Sequence, residues 1–258
     1  MSFFVLTPEQ SRNVDDAASR RLGIHGLVLM ENAARGATHL VQTRWPSAGP
    51  ILIICGSGNN GGDGYAIARQ LLIRNRDVHV LALHPPREGS DAQVNRRILE
   101  NMGQPIATPA ELPQFAPQAE LIIDAILGTG LDRDVTGEPA HAMAVINECS
   151  APTLAVDIPS GLDANHGRPL GIAVQAAATV TFVGPKPGLL TESSRQWVGD
   201  LYISDIGAPN ELAAEFGTPI EEFVQATAGI ESTPELTWVD DYGAAAHDRT
   251  PPTFPESP

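Results

Sequence analysis

The stretch "CGSGNNGGDGYAIARQL", Cys55 to Leu71, follows the apolar run "PILII" and holds the first residues whose types and spacing suit chemistry. Gly56, Gly58 and Gly61 read G-x-G-x-x-G, a pattern that lets a backbone approach a pyrophosphate when it follows a strand and opens a helix. Asn59, Asn60 and Asp63 do not belong to a bare phosphate cradle. A carboxylate near a helix N-terminus stabilises the helix dipole, but it competes with an anionic ligand for the same amides. Amide and carboxylate oxygens beside glycines suit a hydroxyl-rich ligand or a hard cation. The competing reading is an ordinary βα turn with asparagine in left-handed geometry.

Two further stretches share one design. "LIIDAILGTGL" and "LAVDIPSGLD" each run as an apolar strand, an aspartate near its C-terminal end, then a turn containing glycine. An ionised carboxylate beside a buried strand is costly unless paired or hydrogen-bonded. Loop amides alone can satisfy Asp124 and Asp157 one at a time. In a doubly wound sheet, however, the C-terminal strand ends line one crevice where ligands bind. Three oxygen-rich turns converging there favour a site.

Other chemistries are excluded by what is missing. The strand after the glycine turn ends "LALHPPRE", with no acidic residue to bind a ribose, so an ordinary NAD dehydrogenase is not expected. "IPSG" around Ser160 is not G-x-S-x-G, and no G-x-x-x-x-G-K-[ST] occurs. The seven histidines form no H-E-x-x-H or Cys/His cluster, which argues against zinc.

The elements that must position these residues alternate. "LTPEQSRNVDDAASRRL" reads as a helix capped by Thr7, with Pro8 first and Gln10 at the capping-box position. A second helix, "HGLVLMENAARGATHLVQTRW", ends near Pro46. Strands are predicted in "PILIICG", "DVHVLAL", "ELIIDAILG", "TLAVDIPSG", "ATVTFVG" and "GDLYISDIG". Helices are predicted in "GDGYAIARQLLIRN", "SDAQVNRRILENMG", "EPAHAMAVINEC" and "NELAAEF". Continuous apolar strands alternating with amphipathic helices specify a mostly parallel sheet covered on both faces, a Rossmann-like three-layer α/β/α sandwich. One domain is expected over 1–217. Residues 218–258 are acidic, with Arg249 their only Lys or Arg and prolines near the end, and read as a poorly ordered tail.

With 258 residues and a net charge of −15, the chain can bury one large core, and its field repels nucleic acid and anionic membranes. It shows no apolar run long enough to span a membrane and no secretory leader, so a cytoplasmic protein is expected. The two cysteines, Cys55 and Cys149, read as buried reduced thiols. The single lysine, Lys186, stands in "GPKPG".

"GSGNNGGDGYAIARQL", "IIDAILGTGL", "AVDIPSGLDANHG" and "TVTFVGPKPGLL", with "MENAARG" near the N-terminus, together resemble the NAD(P)H-hydrate epimerases, the YjeF N-terminal domain family, over about Leu6 to Pro209. The resemblance implies interconversion of the R and S forms of NADH or NADPH hydrated at C6 of the nicotinamide ring, so that an ATP- or ADP-dependent dehydratase can use the S form. It implies a bound potassium ion held by Asn60, Asp124 and Ser160, and a homodimer. It implies substrate contacts from Asn59, Asn60, Gly61, Gly62 and Asp63, from Gly128, Thr129, Gly130, Leu131, Asp132, Arg133 and Asp134, and from Asp157. Many bacterial relatives carry the dehydratase fused C-terminally. The chain stops at Pro258, so that partner is expected on a separate chain.

The carbon to be inverted carries a hydroxyl and the ring nitrogen, and no adjacent carbonyl stabilises an anion there. Loss and return of water, or ring opening and reclosure, are the reasonable routes. Each needs one positioned acid/base, for which Asp157 is the candidate. The alternative function is a non-catalytic YjeF-type ligand- or protein-binding module, since fold does not fix activity. The intact set Asn60, Asp124, Asp157 and Ser160 favours catalysis.

Overall fold

The computed structural model describes residues 3–227 and 236–239. Helix α1 (Pro8–Leu22) begins as its sequence dictates. Gln10 N donates to Thr7 Oγ1 at 3.2 Å, and Thr7 N donates to Gln10 Oε1 at 2.8 Å. This reciprocal pair satisfies two donors that the helix leaves open. Gly23, at φ 71°, ends the helix in the left-handed region that favours glycine. Helix α2 (Gly26–Arg44) follows.

The strands β2 (Ile51–Cys55), β3 (Val78–Ala82), β4 (Ile106–Ala107), β5 (Leu121–Ala125), β6 (Thr153–Val156), β7 (Ala178–Phe182), β8 (Asp200–Ser204) and β10 (Thr237–Trp238) form one eight-stranded sheet. Its order is β10-β8-β7-β6-β5-β2-β3-β4, and every pairing is parallel. The chain runs outward from β2 through β3 to β4, then returns to place β5 on the other side of β2. That reversal makes the β2/β5 boundary a topological switch point.

Side-chain alternation divides the core between the two faces. Ile51, Ile53 and Cys55 of β2 pack with α1, α2 and α3 (Asn59–Leu72). Leu52 and Ile54 pack instead with α5 (Leu112–Phe115) and α6 (Gly137–Glu148). Every residue of β2 is buried, and each large aliphatic side chain contributes roughly 1.5–3 kcal/mol by leaving water. Helix α4 (Asp91–Asn101) lies beside α3.

Past residue 217, where the domain boundary is expected, the chain continues into short elements. After α8 (Asn210–Phe216), strand β9 (Thr218–Pro219) pairs antiparallel with β1 (Phe4–Val5). Helix α9 (Ile220–Ala226) then buries Ile220 among Val5, Leu189 and Leu201, and β10 adds to the edge of the main sheet. Acidic composition is compatible with this because one buried isoleucine and two short strand pairings suffice to dock the segment. The rest of the expected tail lies outside the described residues. The two cysteines are free as expected, but Cys149 is half-buried rather than buried. Among the described residues, no helix is long and apolar enough to cross a membrane.

Candidate functional site

The glycine turn sits at the switch point because only glycine fits there. A Cβ on Gly56 would lie 1.9 Å from the Ile126 carbonyl oxygen, and one on Gly61 would lie 2.0 Å from the Gly56 carbonyl oxygen. Without those atoms the β2 turn folds directly against the loop after β5. Helix α3 starts at Asn59, so Asn59, Asn60, Gly61, Gly62 and Asp63 all belong to its opening turns. Asn60 is buried, yet neither Oδ1 nor Nδ2 of its side chain has a hydrogen-bond partner. A buried amide left in that state costs about 1–3 kcal/mol unless something else partners it.

Asp124, on β5, is fully buried. Its Oδ2 accepts from Ser160 N at 2.8 Å, and its Oδ1 accepts from Ser160 Oγ at 2.6 Å and from Ile126 N at 3.2 Å. Ser160 Oγ in turn accepts from Leu127 N at 2.8 Å. Burial pushes the Asp124 carboxyl up to about 6, against the opposing hydrogen bonds from Ser160 and Ile126. Among the described residues no cationic side chain bonds to it.

Asp157 follows the same kind of strand but meets a different fate. Its backbone sits at φ 67°, uncommon for a residue with a side chain. Lys186 Nζ donates to its Oδ1 at 2.5 Å, and the lysine is only 2% exposed. The other oxygen, Oδ2, faces Gly128, lying 3.4 Å from where a Cβ would be built there. The same Cβ position is 3.6 Å from Asn60 Cγ, so Asn60 and Asp157 both border the space beside Gly128.

Two more carboxylates share this field. Asp63 is held well above the usual carboxylate range by burial first, then by the like charges of Asp157 and Asp15, with Lys186 opposing. Asp15, on α1, is exposed, yet close enough to Lys186 and Asp157 to feel their charges. Desolvation raises it to about 6, Lys186 lowers it, and Asp157 and Asp16 raise it further. Like carboxylates crowded together favour retention of a proton.

The structure thus places Asn60 and Asp157 on either side of the space beside Gly128 and joins Asp124 to Ser160. Thr129 and Leu131 are half-buried in the loop, whereas Gly130, Asp132, Arg133 and Asp134 stand exposed. Among the described residues, none of Asp132, Arg133 and Asp134 shares a hydrogen bond or ion pair with Asn60, Asp124 or Asp157. Sequence reasoning missed Asp15 altogether and gave Lys186 no role. The only signal for the lysine was its solitude in the chain.

A doubly wound sheet with a glycine turn at its switch point, an unpaired amide and two unlike carboxylates defines a ligand-holding α/β domain. The chain belongs to the YjeF N-terminal family, described as "YjeF-related protein N-terminus", which it matches over residues 26–188. It is 38% identical over 201 residues to the NAD(P)H-hydrate epimerase of Limosilactobacillus fermentum, covering 78% of this chain and 95% of that one. It is 42% identical over 212 residues to the bifunctional NAD(P)H-hydrate repair enzyme Nnr of Pyrobaculum aerophilum, covering 79% of this chain and 42% of that one. The chain therefore spans less than half of the bifunctional relative and nearly all of the shorter one. The crystal structure of the yeast protein ynu0 shares the fold, with a TM-score of 0.72 at 22% identity over 83% of this chain and 94% of the yeast one.

Proposed function

We propose that this chain is an NAD(P)H-hydrate epimerase, an isomerase that interconverts the R and S forms of hydrated NADH and NADPH in the repair of nicotinamide cofactors. The observation that carries the reading is Asp157. One of its oxygens is tied to a buried lysine, and the other faces the crevice between the glycine turn and the loop after β5. A carboxylate placed in this way suits the one task common to both routes, giving a proton to the hydrate and taking one back.

The substrate contacts are Asn59 to Asp63, Gly128 to Asp134, and Asp157. The opening amides of α3 have no intrahelical acceptors and suit the polar part of a dinucleotide. Asn60, Asp124 and Ser160 fit a potassium ion, since all three offer hard oxygens, one is an anion, and the Asn60 oxygen is buried without a partner. When bound, the ion supplies positive charge that orients oxygen ligands and offsets the Asp124 carboxylate. A dehydratase would consume the product, as the bifunctional name of the Pyrobaculum aerophilum relative suggests. The expected assembly is a homodimer.

Resolved R-hydrate, incubated with the protein and potassium but without ATP, is expected to equilibrate with the S form by chromatography. No acceleration over the spontaneous rate at several protein concentrations would sink the enzyme reading. A non-catalytic binding module would then be the better description.

A further inference from the structure

Among the described residues, three that are not glycine have positive φ: Asn75, Asp157 and Val183. Two of these end neighbouring strands, β6 and β7, and both are the centres of three-residue turns. Ile158 N donates to Val156 O at 2.9 Å around Asp157, and Gly184 N donates to Phe182 O at 2.7 Å around Val183. Turns of this kind with a left-handed centre are strained, and a β-branched residue such as Val183 adopts that region with difficulty. Strain of this sort persists only where the surroundings hold it, and it gathers at functional sites.

Lys186 is what lies across both turns. Its ammonium donates to Asp157 Oδ1, to Thr181 Oγ1 at 2.8 Å and to Phe182 O at 3.3 Å. Those contacts use all three donors, one on the first turn, one on the second, and one on β7 between them. A buried ammonium is costly unless so paired. The loop carrying the lysine is itself pinned, because Leu6 N donates to Pro185 O at 3.0 Å and Phe4 O fills the space beside Gly184. Lys186 is too enclosed to touch a substrate, but it decides how Asp157 presents itself.

We propose that Lys186 is a positioning residue that divides the two oxygens of Asp157, anchoring Oδ1 and leaving Oδ2 turned to Gly128 as the oxygen that exchanges the proton. This rests on the reading of Asp157 as the acid/base. In loss of water, the proton on Oδ2 passes to the hydroxyl as the carbon–oxygen bond breaks, and the ring nitrogen lone pair takes up the positive charge. The proton returns to Oδ2 when water adds to the other face. In ring opening, ionised Oδ2 instead takes the hydroxyl proton as the carbonyl forms and delivers it to the ring nitrogen as the carbon–nitrogen bond breaks. The transfers reverse on reclosure. The ammonium is a fixed clamp and transfers nothing.

The test uses the full chain with Lys186→Met, Lys186→Arg, Thr181→Val and Asp157→Asn, alone and combined. Misplacing the carboxylate is expected to lower kcat by roughly 10²-fold in Lys186→Met, with KM and NADP⁺ affinity within about threefold. Lys186→Arg keeps the charge but not the compact ammonium, and should recover only part of the loss. Thr181→Val, which removes one acceptor, should lower kcat less than either. Added to Asp157→Asn, Lys186→Met should cost nothing more, because residues acting as one unit are not additive. A full additional loss in that background would show that Lys186 acts independently and would overturn the proposal. So would near-wild-type kcat in Lys186→Met beside an inactive Asp157→Asn. If Lys186→Met fails to fold, Lys186→Arg and Thr181→Val decide, and wild-type kcat in both overturns the proposal. Wild-type turnover in Asp157→Asn would instead sink the acid/base reading beneath it.

Discussion

The ends of β5 and β6 carry the same short pattern, an apolar strand, an aspartate and a glycine-containing turn, yet they produce opposite sites. Asp124 points into the α6 side of the sheet, loses all contact with water and satisfies both oxygens on Ser160 and Ile126. Asp157 twists its backbone to φ 67°, keeps some exposure and satisfies only one oxygen, on a lysine. The first is a fixed negative charge in a cage of hydrogen bonds. The second is a charge with one hand free. The difference lies in the partner each strand end meets, and two like carboxylates acquire two roles because their surroundings differ.

Asp157→Asn should break the comparison most sharply. It keeps the shape and removes the titrating group, so turnover should fall by roughly 10²–10⁴-fold while NADP⁺ binding, followed by titration, changes far less. Asp124→Ala should show the opposite profile, with stability falling first. Two backbone donors, Ser160 N and Ile126 N, would lose their acceptor, at about 1–3 kcal/mol for each group left unsatisfied, read as a lower melting temperature. Turnover near wild type with a large loss of stability in Asp157→Asn would reverse the assignment.

The pH dependence sharpens the same contrast. Asp124 titrates at about 6 in the fold against 3.8 ordinarily, so between those values the folded chain holds more protons than the unfolded one. Its contribution to stability therefore falls as pH rises from about 4 to 6. A cation beside the ionised carboxylate offsets that loss. Potassium chloride should raise the melting temperature more at pH 7.5 than at pH 5, relative to choline chloride, and Asp124→Ala should erase the difference. The smallest effect is expected from the chain's end. Cutting after Gly217 removes the β9 partner of β1 and the buried Ile220, so melting temperature and turnover should both fall modestly. Cutting after Val239 should change neither.

The six long strands and their helices were legible because their apolar runs and caps are local signals. Strands β1, β4, β9 and β10 have two residues each, too short for any periodicity to register. Asn60, Asp124, Ser160 and Asp157 were legible through their turns, although their bonds were not. Asp15 was not legible, since "DD" on a charged helix reads as a solvated face and the charges that act on it, Asp157 and Lys186, are far along the chain. "MENAARG" was visible as a motif without a task. The fold gives it a supporting one: Glu31 pairs with Arg69 and Gln70 of α3, Asn32 Nδ2 donates to Ile206 O at 2.8 Å, and Met30 packs on Gly62.

That the chain's sole lysine is enclosed at the site gives it an unusual reagent chemistry. An acylating or carbamylating reagent finds no other side-chain amine, and it reaches this one only when the loop from Gly184 to Gly188 swings away from β1 and β7. The rate at which Lys186 is labelled, separated from the α-amino group by peptide mass, then reports that opening: its population when reclosing is faster than modification, its rate when reclosing is slower. Labelling becomes a gauge of local unfolding beside the cleft, with no engineered probe. A ligand that seats on Asp157 should slow it.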